Sequence, residues 1–398
     1  MADGPLAGLR VLDVGTRIGA PFCAGLLGEW GADVVKVEQP DGGDFMRTIG
    51  PFLDGYSLFW SVEGRGRRSV TCDLRRPEGQ ELFRRLAATA DVLVENFRPG
   101  TMERWHVGPD DLDPSLVYVR ISGFGQTGPY AQRPSLDRVG ISYGGLLHLT
   151  GYPDRPPVRP GITVSDYLTG LFAAEAALAL LYGRDAATGD ARGRQGGVVD
   201  APLYASVLRI LEWTIAGYDR LGEVRGREGN RLANSAPLDN YATGDGKYVC
   251  IVAGSDANFG RLCKAMGRPE LFDDPRFATL DRRAANGDLI NGIVAGWCAE
   301  NDAAVIEKAC LAHDVPIGTA YTAADICSDP HVAARGDLVT VDDPVIGPVR
   351  QQAAHPRIAG RPRAAPRGAP QLGEHNDEIW GELLTADEYD VARQAGVI

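Results

Sequence analysis

"LRVLDVGTRIGAPFCAGLLGEWGADVVKVE", residues 9–38, sets the fold. Residues 9–15 are a short apolar run that ends in Gly and reads as a buried strand. Phe22, Leu26, Leu27 and Trp30 then share one face of a helix. "DVVKVE" (33–38) is a second strand. The alternation continues outward. "SVTCDL" (69–74) reads as a third strand. "PEGQELFRRLAATA" (77–90) opens a helix on Pro and sets Leu82, Phe83 and Leu86 at helical spacing. "DVLVEN" (91–96) and "LVYVRIS" (116–122) are further strands. Strands alternating with helices across short loops predict right-handed βαβ units, a parallel sheet and an α/β fold. Ligands of such sheets bind at the carboxyl ends of the strands.

The rest of the chain divides at changes of composition. Residues 166–183 are apolar on nearly every face and predict a buried helix. A polar loop, 184–197, separates it from a second long helix predicted over 198–222. "EVRGREGNR" (223–231), rich in Gly and Arg, marks a domain boundary. A strand at 247–254 restarts the pattern, and short strands resume at 337–341. "GRPRAAPRGAP" (360–370) is an extended passage before two terminal helices. The expected domains are a large one over 1–222, a small one over 232–330, and a segment, 331–398, that returns to the first. A chain of 398 residues exceeds one small core.

Several function classes are disfavoured. A net charge of -12 argues against nucleic acid as a partner. No window approaches 18 consecutive apolar residues, so no membrane span is expected, and "MADGPLAGLRVLDVG" does not read as a signal peptide. The seven cysteines are scattered without a CxxC pair, which predicts neither metal nor disulfides and suits a reduced, cytoplasmic protein. The turn "VGTRIGAP" places Gly15 and Gly19 four apart, so the dinucleotide pattern GxGxxG fails. None of the six His lies in a hydrolytic motif, and His375 is expected to cap or orient the terminal helix.

Two stretches carry chemistry. "ENFRPGTMERW" (95–105) follows a strand at the expected ligand edge, and its Asn, Arg and loop N–H groups suit phosphate and adenine. The plain alternative is a set of solvated surface arginines. "RPGITVSDYLTGL" (159–171) puts Asp166 where an apolar run meets a helix. It reads either as a helix N-cap or as a catalytic carboxylate.

In order, "PLAGLRVLDVG…GAP", "GADVVKVEQPDGGD", "RRSVTCDL", "ADVLVENFRPGTMERW", "ISGFGQTGPYAQRPSLD", "SDYLTGL", "GRQGGVVDAPLYA" and "LGEHNDEIW" cover essentially the whole chain. In these motifs it resembles the class III coenzyme A-transferases, a family that includes formyl-CoA, carnitine and dicarboxylate transferases and the related 2-methylacyl-CoA racemases. The resemblance implies a Rossmann-like large domain with a parallel sheet, built from both ends of the chain, a smaller α/β domain, and an interlocked homodimer. It places the catalytic Asp at Asp166, and coenzyme A contacts at the Cys72 backbone, Arg75, Asn96, Phe97, Arg98 and Arg104. It implies acyl-CoA and a small carboxylic acid as substrates, with no tightly bound cofactor and no metal.

Two departures stand out. Gln39 occupies a place where relatives often carry Arg near the nucleotide, and Leu136 stands where the racemases carry His. Arg17 and Ile18, in "TRIGAP", precede the turn expected to line the substrate pocket. Carnitine-specific members are acidic there, so Arg17 favours an anionic, dicarboxylate acceptor; the plain alternative is a solvated loop Arg. Formyl-transferring members carry a run of glycines in the small domain, to which "IVAGSDANFG" is the nearest stretch. The expected activity is CoA transfer through aspartyl anhydride and aspartyl-CoA thioester intermediates. A racemase and a noncatalytic CoA-binding protein are the alternatives.

Overall fold

The computed structural model describes residues 4–186, 195–361 and 366–398. The chain forms two compact units. The first takes in Met1–Leu146, Pro160–Ile215 and Arg335–Ile398, and the second Leu147–Arg159 and Ala216–Ala334.

In the first unit, β1 (Arg10–Asp13), α1 (Gly19–Glu29), β2 (Asp33–Glu38), α2 (Leu58–Glu63), β3 (Arg68–Thr71) and α3 (Pro77–Ala87) follow one another. β4 (Val92–Glu95), α4 (Thr101–Arg104), β5 (Val117–Ser122), α5 (Asp137–Tyr143), α6 (Val164–Ala186) and β6 (Gly197–Pro202) complete the pattern. The six strands form one parallel sheet in the order β3-β2-β1-β4-β5-β6. Side chains alternate across it, as the pleat requires. Leu12, Val35, Val70 and Leu93 face α3 and the terminal helices, with Phe83, Leu86, Ile379 and Trp380. Val11, Val34, Val92, Val94 and Val119 face α1 and α6, with Ala24, Leu27, Ala173 and Ala177. Both faces are covered, which is why these strands read as apolar runs.

The sixth strand corrects the sequence reading. Residues 197–202 pair with β5, and the predicted helix over 198–222 contracts to Leu203–Arg209 and Thr214–Leu221. Val198 and Val199 are β-branched and fit a pleated edge better than a helix turn. α6 also differs from expectation. It is long and apolar enough by composition to cross a membrane, with a mean hydropathy of 1.4 in its most apolar window. Here one of its faces, with Thr169, Gly170, Ala173, Ala177 and Leu181, is buried within the first unit.

Gly170 lets α6 reach α1: a Cβ at that position would lie 2.8 Å from the Gly19 carbonyl oxygen. The free edge of β3 is covered by the returning terminal segment. Asn376 accepts from the Thr71 N–H at 2.8 Å and donates to Thr71 Oγ1 at 2.7 Å. His375 occupies the N-cap position of the helix Asn376–Gly381 without a side-chain cap. Its Nδ1 instead accepts from Ser69 N–H at 3.2 Å.

The second unit has a three-stranded antiparallel sheet of Leu238–Ala242, Tyr248–Val252 and Ile317–Thr319. Its core gathers Val249, Ile251, Phe259, Phe277 and Ile290. Its first strand, 238–242, escaped the sequence reading because Asp239 and Asn240 interrupt any apolar alternation.

Candidate active site

In this strand order the chain leaves β1 towards β2 on one side, and β4 lies on the other, which opens a crevice at the carboxyl ends. A cavity of about 330 Å³ occupies that place. Gly15 and Thr16 line it from β1, Glu38 and Gln39 from β2, Cys72 and Arg75 after β3, and Phe97 after β4. A larger cavity, about 840 Å³, opens at the opposite ends of the strands around Arg10, Asp33 and Arg68, and holds none of the predicted site residues.

The predicted nucleotide residues are only partly gathered. Phe97 lines the cavity and packs edge-on against Trp105, with ring centroids 5.0 Å apart. Arg75 reaches the cavity but forks onto Asp73, with Nε–Oδ1 at 2.7 Å and Nη2–Oδ2 at 3.0 Å. These bonds hold Asp73 below the usual carboxylate range. The Cys72 N–H is taken by the Glu38 carbonyl at 2.7 Å, and burial pushes its thiol up. Asn96 spends its amide on a reciprocal pair. Its Oδ1 accepts from Thr16 N–H at 2.9 Å, and its Nδ2 donates to the Thr16 carbonyl at 2.7 Å. This clasp joins the β1 and β4 turns across the crevice. Arg98 and Arg104 are exposed and do not line the cavity, and Arg104 donates to Thr101 Oγ1 at 2.9 Å.

A buried charge knot supports the rim. Lys36 Nζ, 1% exposed, contacts Asp13 Oδ1 at 3.3 Å and Asp44 Oδ2 at 2.8 Å, and donates to the Gly15 carbonyl. Arg67 Nε completes the pairing of Asp13 at 3.1 Å. Burial alone pulls Lys36 down, but Asp13, Asp44 and Glu38 together hold its ammonium above the ordinary value. Asp44 Oδ1 in turn accepts from Thr16 Oγ1 at 3.1 Å and from the N–H groups of Arg17 at 3.1 Å and Met46 at 2.9 Å. Arg17 is thereby held in the left-handed region, at φ 68°, which Arg rarely adopts. Its exposed guanidinium sits over the Phe45 ring at 4.0 Å. Ile18 turns the other way, buried with Met46 and Trp60, so it braces the turn.

Asp166 lies beyond this rim in the first turn of α6. The helix starts at Val164, so the residue is inside the helix and is not its N-cap. The end is tied down from α5: Asp137 Oδ1 accepts from Ser165 N–H at 2.9 Å and from Ser165 Oγ at 3.0 Å. Next door, Tyr167 donates to Glu63 Oε1 at 2.8 Å and meets the Phe22 ring edge-on. A Cβ on Gly19 would come 3.8 Å from Asp166 Oδ1, so the carboxylate abuts the first residue of α1, whose N-terminus has no side-chain cap. Burial, and to a lesser degree the nearby Asp137, push the Asp166 carboxyl up to about 7, against a smaller opposite pull from Arg17.

Comparison with known proteins gives this arrangement its family. Residues 6–376 match the model of CoA-transferase family III. The chain belongs to CoA-transferase family III. It is 42% identical to a succinyl-CoA–D-citramalate CoA-transferase of Chloroflexus aurantiacus, over 98% of this chain and 96% of that one. It is 34% identical to an acetyl-CoA:oxalate CoA-transferase of Acetobacter aceti, over 96% and 97%. A crystal structure of a CAIB/BAIF family protein from Brucella suis superposes with a TM-score of 0.85 at 34% identity, covering 96% of this chain and all of that one.

In this CoA-transferase, sequence reasoning singled out Asp166 and Arg17 but not the groups that fix the backbone at Ser165 and Arg17. Asp137 lay unremarked in the quoted motif "RPSLD", beside Leu136, whose side chain is 56% exposed. Asp44 sat unremarked in "PDGGD". The bonds that fix these turns span 27 residues from Asp44 to Arg17 and 28 from Asp137 to Ser165, beyond the reach of any local pattern.

Proposed function

We propose that this enzyme moves CoA from a dicarboxylyl-CoA such as succinyl-CoA to a dicarboxylate acceptor, with Asp166 as the nucleophile. The observation that carries this reading is a largely buried carboxylate that accepts no hydrogen bond among the described residues, set against the open start of α1 and in the field of Arg17. The ionised Asp166 attacks the thioester carbonyl and expels CoA thiolate, leaving a mixed anhydride. The thiolate attacks the aspartyl carbonyl, releases the donor acid and leaves an aspartyl-CoA thioester. The acceptor carboxylate attacks that thioester to form a second anhydride and free the thiolate. Attack of the thiolate on the acceptor's carbonyl gives the product and regenerates Asp166. Dividing one exchange into four steps is covalent catalysis. N–H groups at the start of α1 suit the oxyanions, and the apolar walls suit exclusion of water from the anhydride.

The crevice then takes the nucleotide end of CoA, with Phe97 and Arg75 at its wall and Gln39 in place of the cation common in relatives. CoA enters as a substrate, and no tightly bound cofactor belongs to this reading. Arg17 receives the remote carboxylate of the acceptor. The acceptors named for relatives, among them D-citramalate, L-malate and mesaconate, all carry two carboxylates. Arg17→Asn suits the left-handed backbone and removes only the cation. With a panel of acids and succinyl-CoA, this variant is expected to raise KM for dicarboxylates about tenfold or more and leave monocarboxylates unchanged. Equal effects on both classes would remove Arg17 from acceptor recognition.

The protein is further read as an interlocked homodimer in the cytoplasm. Leu208, Ile210, Trp213 and Ile215 leave large apolar side chains exposed within eight residues, as interaction surfaces do. None of the seven cysteines forms a disulfide, which suits a reducing compartment. Light scattering at micromolar concentration should report twice the chain mass of 42.6 kDa. A fully active monomer ends the dimer reading.

A further inference from the structure

The loop that carries the expected CoA contacts is held by a residue that no motif singled out. Arg120, on β5, is 6% exposed. Its Nε donates to Glu95 Oε1 at 2.8 Å. Its Nη1 and Nη2 reach Glu103 Oε1 and Oε2 at 2.6 and 3.2 Å. Glu95 ends β4 and is fully buried, and its second oxygen accepts from Phe97 N–H at 2.7 Å. Glu103 belongs to α4, the single turn that also carries Arg104. One guanidinium therefore ties three pieces together: the strand β5, the residue that fixes Phe97, and the turn behind it. Burial pushes Glu95 up to about 7 even against the pull of Arg120, so its charge depends on that partner.

We propose that Arg120 is a positioning residue for acyl-CoA: by clamping Glu95 and Glu103 it holds Phe97 and α4 in the shape that receives the nucleotide end. The inference rests on the crevice being the CoA site. Arg suits the task because its planar fork serves two carboxylates at once, which a Lys ammonium does not. Residues behind a binding surface set how well its contacts are pre-formed. A group that acts on CoA binding alone changes ground state and transition state alike, so it moves KM and spares kcat.

The full-length wild type, Arg120→Lys and Glu103→Gln are compared by calorimetric titration with CoA and by transfer kinetics with succinyl-CoA. Arg120→Lys is expected to raise Kd for CoA and KM for succinyl-CoA about tenfold, with kcat changed less than about threefold and the acceptor KM unmoved. Glu103→Gln loosens only one arm of the clamp and should raise both about threefold. If Arg120→Lys does not fold, Glu103→Gln decides, because that side chain is half exposed. Folded variants that bind CoA as tightly as the wild type overturn the proposal. So does a fall in kcat at unchanged KM, the mark of general damage. A wild type that binds no CoA overturns the reading of the crevice itself, whatever the variants do.

Discussion

Asp166→Asn is expected to leave the fold intact and to lower transfer by about three orders of magnitude or more. Asn matches Asp in shape but has no anionic oxygen, so the attacking group alone is lost. The wild type incubated with succinyl-CoA and then hydroxylamine should carry the modification on Asp166 and on no other carboxylate, because only an activated acyl group reacts. The environment adds a pH signature. The nucleophile must be ionised, and its carboxyl is held up to about 7, so kcat/KM should rise with pH through that region and level off above it. Asp137→Asn keeps the acceptor oxygen for Ser165 but removes a repelling charge, and should move this limb to lower pH. Stability follows with the opposite sense. The folded chain holds the Asp166 proton more tightly than the unfolded chain does. Its contribution is complete below the ordinary carboxylate range and is lost as pH rises through about 7. Asp166→Asn should therefore melt higher than the wild type at pH 8, by about 1 kcal/mol or more, and no higher at pH 4. An active Asn variant, or label on another residue, removes Asp166 from the chemistry.

Lys36→Met should cost roughly 3–5 kcal/mol of folding stability, the largest loss expected of any single change at the site. Met fills the space of the stem but leaves Asp13 and Asp44 facing one another without the ammonium between them. The Gly15 carbonyl loses its donor as well. Urea unfolding followed by tryptophan fluorescence measures the loss. Adding Asp44→Asn to Lys36→Met should recover part of it, because one of the stranded charges is gone. A single variant within about 1 kcal/mol of the wild type would mean that the knot is solvated.

Lys36 also shows where the sequence ceases to be readable. "DVVKVE" was legible as a strand because Val34, Val35 and Val37 make an apolar run. The same run hid the fact that its one cation is buried at the base of the crevice. Periodicity reports which face a residue occupies and says nothing of a partner eight or twenty-three positions away. Most of the first-unit sheet was legible for the same reason, since strands buried on both faces are apolar throughout. The edge strand Gly197–Pro202 was not: its neighbours 203–209 are helical, and two adjacent valines did not outweigh them. Asp166 was legible as a motif, while its place inside the helix depended on where α6 begins, which Asp137 fixes from another element. Asn96 was singled out as a ligand contact, and its bonds to Thr16, eighty residues away, had no local pattern to reveal them.

The Asn96–Thr16 clasp engages the main chain of residue 16, and Asp44 likewise grips Arg17 by its N–H. What those positions hold in place is backbone, so the side chain at 17 can change among residues that tolerate a left-handed φ. A duplicated copy of the gene can exchange the residues at 17 and 45 and aim its rim at another acid while Asp166 keeps its register. Innovation is cheap where inheritance is anchored in backbone atoms that every residue but proline supplies. Directed evolution towards new acceptors should therefore begin with a small library at these two positions, leaving Lys36, Asp44 and Asn96 as they stand.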